Sequence, residues 1–241
     1  MNKTVTLFGS TGLIGSEVLK LLINDNYFEN INIISRKKIN INSKKIKNYN
    51  INFSNLEDYK KVISKNQIVI ASIGTTQSKV NFNKLEYRKV DYDILLNIAE
   101  VCKTNQASSF CFVSSAGANE KSKNFYLALK GEIENSIMQL GLNTCLIFRP
   151  SILLGKRNEF RFGEIIAQKI MPLFSFLMKS EYKPIKAVDV AKSIVNESKK
   201  IISGNKIYHY YEMKNSNWCR IYASDLDDVK QYHKVMWNRT Y

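Results

Sequence analysis

Apolar runs of strand length alternate along this chain with stretches of helical periodicity, the pattern of a parallel sheet joined by crossover helices. Strands are predicted at 4–8, 30–35, 48–53, 67–72, 110–114 and 144–149. Between them, Ile14, Val18 and Leu22 share one helix face. Ser54-Asn55-Leu56-Glu57 has capping-box spacing ahead of Tyr59, Val62 and Ile63. A longer helix over 84–103 presents Ile94, Leu95, Ile98 and Val101, and another over 126–140 stops at Gly141. Beyond Pro150 the alternation weakens. Segment 156–188 is irregular with an apolar middle, Val188-Asp189-Val190-Ala191 opens a short helix, and 206–211 reads as a late strand. Ser224-Asp225-Leu226-Asp227 is a cap-like start to a final amphipathic helix. The expectation is one α/β domain over 1–241, a doubly wound parallel sheet with its core in 1–155 and a smaller lobe and tail in 156–241.

A chain of 241 residues is long enough to bury a full core. Three prolines and ten glycines over that length leave no linker-like segment. The longest apolar stretch, 170–178, is far short of the roughly 20 residues a membrane span needs. Met1-Asn2-Lys3 runs directly into Thr4-Val5-Thr6-Leu7-Phe8 with no signal-peptide pattern, so a soluble, cytoplasmic protein is expected. Cys102, Cys111, Cys145 and Cys219 show no paired spacing and read as reduced core thiols. His209 and His233 have no partners at metal-ligand spacing, and no metal is expected.

The formal net charge of +15 raises the question of nucleic acid or an anionic membrane surface. Lysine, asparagine and isoleucine are all heavily used, however, which is what an AT-rich coding sequence produces. The basic residues are scattered apart from Arg36-Lys37-Lys38 and Lys44-Lys45-Ile46-Lys47, and no nucleic-acid-binding motif accompanies them. Nucleic acid is not the expected partner.

The chemistry begins at Gly9-Ser10-Thr11-Gly12-Leu13-Ile14-Gly15, which follows a strand and opens a helix. In a dinucleotide turn the first glycine permits the tight bend, the second lets backbone approach a pyrophosphate, and the third lets helix pack on strand. The helix N-terminus then offers amides and the positive end of its dipole to phosphate. An ordinary strand–turn–helix junction is the plain alternative. About 20 residues further on, an NAD-preferring chain usually carries an acidic residue for the ribose 2′-hydroxyl. Here Ser35 is followed by Arg36 and Lys37, which suit a 2′-phosphate and favour NADP(H) over NAD(H). The alternative is a pair of solvated loop charges. Asn52 and Phe53 are placed to flank the adenine, and Ile73, Gly74 and Thr75 to line the ribose.

Tyr126 and Lys130 are four residues apart and so share a helix face. A tyrosine in water titrates near about 10, so proton transfer near neutrality asks for a neighbouring cation that favours the phenolate. Ser115 lies eleven positions before Tyr126 at the end of a buried strand, where its hydroxyl can bond a substrate carbonyl. Strand alternation lets only one of Ser114 and Ser115 face the site. A bare Tyr-x-x-x-Lys is common, and its plain reading is an amphipathic helix with a half-buried tyrosine. The nucleotide turn and the serine pair upstream give it weight.

These residues resemble the short-chain dehydrogenase/reductase superfamily, in its atypical Tat-interacting-protein-like branch. The likeness rests on 9–15, on Ile73-Gly74-Thr75-Thr76 with Lys79, and on Lys89-Val90-Asp91-Tyr92-Asp93. It continues through 113–119, through Tyr126 to Glu132, through Arg149 to Gly155, and through Arg157 and 159–164. The resemblance implies a Rossmann-type fold with a C-terminal substrate-side lobe and NADP(H) across the strand ends. It makes Ser115, Tyr126 and Lys130 catalytic, and passes Pro150, Ser151 and Ile152 beside the nicotinamide. Where the family often has an acidic residue at the adenine-side strand end, this chain has Asn52. Arg157 and Arg161 either bind an anionic substrate group or pair with Glu159 and Glu164. The implied activity is hydride transfer to or from a small-molecule carbonyl or alcohol. The competing reading is an NADP(H)-sensing regulatory protein without turnover. Monomer and homodimer are both open.

Overall fold

The computed structural model describes residues 3–37, 39, 41, 43–154 and 182–216. Seven parallel strands form one sheet in the order β3-β2-β1-β4-β5-β6-β9. They are β1 (Thr4–Phe8), β2 (Asn30–Ser35), β3 (Ile46–Asn50), β4 (Ile68–Ala71), β5 (Ser109–Val113), β6 (Thr144–Phe148) and β9 (Gly204–Tyr208). Two short strands, β7 (Leu153–Leu154) and β8 (Ile185–Lys186), pair in parallel outside it. The chain order reverses between β1 and the central strand β4: β1 sits between β2 and β4. In open α/β sheets this reversal leaves a crevice beyond the carboxyl ends of the strands, where ligands bind. The fold is the Rossmann-type doubly wound sheet that the alternating pattern predicts.

Both faces of the sheet are covered, which is why the central strands read as nearly continuous apolar runs. Along β1 the period of two still holds, since Val5 and Leu7 join one core and Phe8 joins the other. The first core is closed by α1 (Leu13–Asn24), through Ile14, Val18, Leu19 and Leu22, and by α6 (Ala187–Ser198), through Val190, Ala191, Ile194 and Val195. On the opposite face lie α2 (Leu56–Val62), α4 (Ile94–Thr104) and α5 (Phe125–Gln139). Residues such as Leu95, Ile98, Ile133 and Ile137 are fully buried there. Cys102 and Cys145 are free and buried among them, and Cys111 is free and buried in the first core.

Several boundaries differ from the sequence expectation, each for a local reason. The third strand spans Ile46–Asn50 rather than 48–53, because β2 ends at Ser35, whose partner is Asn50. Asn52 instead begins a turn: its side chain accepts from Ser54 N–H at 3.0 Å and its own N–H donates to the Asp58 carboxylate at 3.1 Å. Asn55, one residue after the expected Ser54, caps α2 by accepting from Glu57 N–H. The helix expected over 84–103 is divided into α3 (Lys84–Arg88), a π-turn (Lys89–Asp93) and α4. The late strand ends at Tyr208 rather than 211, because Glu212 caps the next helix, α7 (Tyr210–Asn215), by accepting from His209 N–H at 3.0 Å. Gly141 ends α5 as expected, with a φ of 62°. The apolar run 170–178, Arg157, Arg161, Cys219, His233 and the helix expected after Ser224 lie outside the described residues. Among the described residues no helix is long and apolar enough to cross a membrane. No group of three metal-ligating side chains is assembled among them either.

Candidate active site

Because every strand of the large sheet is parallel, the turns after β1, β2, β4, β5 and β6 all leave the same edge. The glycine turn follows β1. Its tightness is steric: Gly9 has a φ of 82°, and a Cβ there would lie 2.6 Å from Ser72 O. A Cβ on Gly15 would lie 2.0 Å from Gly9 O and 2.5 Å from Ser72 Oγ, so α1 reaches the strand only with glycine at that position. Gly12 N–H donates to Gly9 O at 3.0 Å and closes the bend. Helix α1 then opens with no side-chain cap at Gly12 and no acidic residue in its first turn. Its leading amides are thus left for an outside acceptor. Ser10 Oγ, at the centre of the turn with Thr11, is buried without a hydrogen-bond partner among the described residues. Uncapped amides, an orphaned hydroxyl and a close backbone approach suit a bound pyrophosphate.

Arg36 and Lys37 are exposed immediately beyond β2, with Ser35 Oγ bonded to Lys37 O at 2.5 Å. Phe53 is half-buried, edge-on to Phe8 at 6.4 Å and to Tyr59 at 6.0 Å, and its carbonyl accepts from Tyr59 Oη at 2.7 Å. Phe53 thus packs against the core, while Asn52 is exposed at the start of its turn. Beyond β4, Ile73 and Thr75 are half-buried and Gly74 is exposed. Thr75 N–H donates at 2.7 Å to the carboxylate of Asp91.

The serine pair divides as strand alternation requires. Ser114 turns inward and donates to Glu134, which is 1% exposed. Arg149 grips the same carboxylate from the end of β6, with Nε 3.0 Å from Oε1 and 3.1 Å from Oε2. Ser115 is left half-buried, with a 3.3 Å bond to Ala116 O among the described residues. Ala116 N–H in turn donates to Pro150 O at 2.9 Å, which sets the loop of Ser115 beside Pro150-Ser151-Ile152. Ser151 Oγ bonds Lys183 O, and Ile152 O accepts from Ile185 N–H at 3.0 Å, so this second loop is tied to β8.

Tyr126 and Lys130 lie in the first turns of α5, which Asn124 caps by accepting from Tyr126 and Leu127 N–H. The Lys130 ammonium is 5.9 Å from the centre of the Tyr126 ring, and Tyr87 packs edge-on to that ring at 6.4 Å. Helix and serine loop are joined where Asn119 N–H meets Leu127 O at 3.0 Å. Gly131 permits this approach, since a Cβ there would lie 2.1 Å from Glu120 N. Lys130 is buried and forms an ion pair with Asp91 at 2.8 Å. Burial pushes the ammonium toward deprotonation, but the Asp91 carboxylate, with Tyr126 beside it, more than offsets that, and the lysine is held above its ordinary value. Asp91 and Glu134 were not singled out as site residues by the sequence reading, because nothing in a one-dimensional pattern brings either beside its partner.

A family model described as NAD(P)H-binding matches residues 9–162. The chain is 30% identical over 198 residues to the protein HTATIP2 of Rattus norvegicus, covering 81% of each chain. It is 32% identical over 199 residues to the mitochondrial protein FMP52 of Debaryomyces hansenii, covering 79% of this chain and 85% of the relative. That relative and those from Candida albicans and Scheffersomyces stipitis are named as mitochondrial. Those names overturn the cytoplasmic location expected from the lack of a secretory pattern and of a membrane span. Among solved structures, a UDP-N-acetylglucosamine 4-epimerase from Methanobrevibacter ruminantium M1 superimposes with a TM-score of 0.66 at 18% identity, covering 86% of this chain and 76% of the epimerase. Vestitone reductase from alfalfa gives 0.61 at 17% identity, covering 85% and 75%.

Proposed function

We propose that this chain, which belongs to the NAD(P)H-binding family and is an atypical short-chain dehydrogenase/reductase, is an NADP(H)-dependent oxidoreductase acting on a small-molecule carbonyl or alcohol. One observation carries the reading. The parallel sheet delivers the glycine turn, Ser115 and the Tyr126–Lys130 pair to a single edge, with the lysine buried, charged and beside the tyrosine.

The residues of the turn fit a dinucleotide. The amides at the start of α1 and the Ser10 hydroxyl hold the pyrophosphate, and Ile73, Gly74 and Thr75 line the ribose side. Arg36 and Lys37, exposed past β2 where Ser35 and not an acidic residue ends the strand, neutralise a 2′-phosphate and select NADP(H). When bound, that cofactor supplies or accepts the hydride. Ser115 donates to the substrate oxygen as charge develops on it. Tyr126 gives the proton to that oxygen in reduction and removes it in oxidation. Lys130 holds a positive charge beside Tyr126 and reaches the cofactor ribose. Pro150, Ser151 and Ile152 wall the nicotinamide end.

The competing reading, a sensor that binds the cofactor without turnover, uses the same turn but has no need of Tyr126. The test is Tyr126→Phe, assayed by NADPH oxidation against a panel of aldehydes and quinones. Turnover is expected to fall by roughly 10²–10⁴-fold, the share a positioned acid–base group supplies, with NADPH affinity changed less than about threefold. Wild-type turnover in the variant would sink the assignment. A wild-type protein that binds NADPH but turns over no carbonyl in the panel would favour the sensor.

A further inference from the structure

Asp91 has no role in the proposed proton transfer, yet its side chain is 2% exposed and both its oxygens are engaged. Oδ1 is 2.8 Å from Lys130 Nζ on α5, and Oδ2 accepts at 2.7 Å from Thr75 N–H beyond β4. The residue sits in the π-turn between α3 and α4, a local widening of the helix found most often at functional sites. Thr75 O is tied to the preceding helix α3, accepting from Tyr87 Oη at 3.3 Å.

We infer that Asp91 is a positioning residue whose one carboxylate holds both Lys130 and the Gly74–Thr75 backbone, coupling the charge of the lysine to the loop on the cofactor side. The inference rests on the cofactor reading above. Two donors, an ammonium and a backbone amide, converge on Asp91 from different elements, and only a group with two acceptor atoms satisfies both. Asparagine does not: whichever way its amide turns, its NH₂ faces one of the donors.

Among the described residues no other group replaces the lost charge. The groups around Lys130 are Tyr126 on its own helix, Glu134 one turn further on, and Asp91 from the π-turn. Glu134 already serves Ser114 and Arg149, and Glu132 is paired with Arg88 at 2.6 Å. Without Asp91, burial acts on Lys130 with its largest opposing charge removed and drives it toward the neutral amine. A neutral Lys130 is a weaker donor to the ribose.

The experiment is the pH dependence of NADPH affinity, followed by fluorescence titration between pH 7 and 9.5, with circular dichroism to confirm folding at each point. Wild type is expected to vary less than about threefold. Asp91→Asn is expected to weaken with rising pH, approaching tenfold per pH unit once the lysine titrates. In a Lys130→Met background the same substitution should add no pH dependence. A folded Asp91→Asn protein with the wild-type profile would overturn the inference, as would an undiminished extra slope in the Lys130→Met background. A second measurement needs no variant. In wild type, the Thr75 amide should be strongly protected from hydrogen exchange, and exchange at the rate of an open loop would show that the bridge is not formed. If wild type binds neither NADPH nor NADH, the proposed function fails, while the Thr75 amide still decides the bridge.

Discussion

At the scale of single residues, the site depends on how buried polar groups are paired. Ser114 and Ser115 are chemically identical neighbours, and only the Glu134–Arg149 pair separates them by claiming Ser114. Strand alternation forecasts that one serine faces in, but the carboxylate twenty positions away that holds it is not legible in the sequence. The Asp91–Lys130 pair is hidden in the same way, although both residues stand in motifs that the sequence reading quoted. Buried protons also set the alkaline limit of the fold. Burial pushes Tyr59 up to about 12 and the Cys145 thiol to about 12. Tyr208 and Cys111 are raised further, by burial first and then by neighbours such as Glu197 and Cys145. In the unfolded chain these groups release their protons near about 8.5 for cysteine and 10 for tyrosine. Above those values the native state therefore holds more protons than the unfolded one, and stability falls as pH rises. The Lys130 ammonium, raised by Asp91, acts in the same direction. The urea midpoint is expected to decline steadily from about pH 8.5 to 11, and a midpoint constant over that range would contradict the burial assigned to these four side chains.

At the scale of elements, the sequence pattern located the central strands to within a residue or two because each is buried on both faces. It failed where local bonding competes with the ladder. Asn52 and Phe53 looked like the end of a strand, but β2 gives out opposite Asn50, and the turn into α2 takes both residues. The division of the helix over 84–103 was equally invisible, because a π-turn leaves the apolar spacing of Leu95 and Ile98 intact while changing what precedes it. The glycine turn, by contrast, was fully legible, since its spacing is dictated by contacts that no side chain tolerates. Gly15→Ala places a Cβ 2.0 Å from Gly9 O and 2.5 Å from Ser72 Oγ, where backbone has no room to yield. A loss of about 3 kcal/mol in unfolding free energy is expected, at the upper end for overpacking. Equilibrium urea unfolding measures it, and an unchanged midpoint would mean that α1 does not pack on β1 as described.

At the scale of the whole molecule, one topological fact gathers the chemistry. Residues as distant in sequence as Gly9, Ser115, Lys130 and Pro150 come to one edge because the strands preceding them run in the same direction. Fold class and the identity of the edge follow from alternation and spacing. Location did not, since the relatives named mitochondrial contradict the cytoplasmic expectation. The net charge of +15 takes on a more specific meaning at that edge, where Arg36 and Lys37 stand exposed past β2. The central claim is that this edge binds NADP(H) in preference to NAD(H). The direct measurement is a paired fluorescence titration of the wild-type protein with NADPH and NADH at fixed salt. NADPH is predicted to bind at least about tenfold more tightly, a difference of about 1.4 kcal/mol, with the gap narrowing as salt screens the exposed cations. Equal affinities would remove the role given to Arg36 and Lys37, and binding of neither nucleotide would contradict the account as a whole.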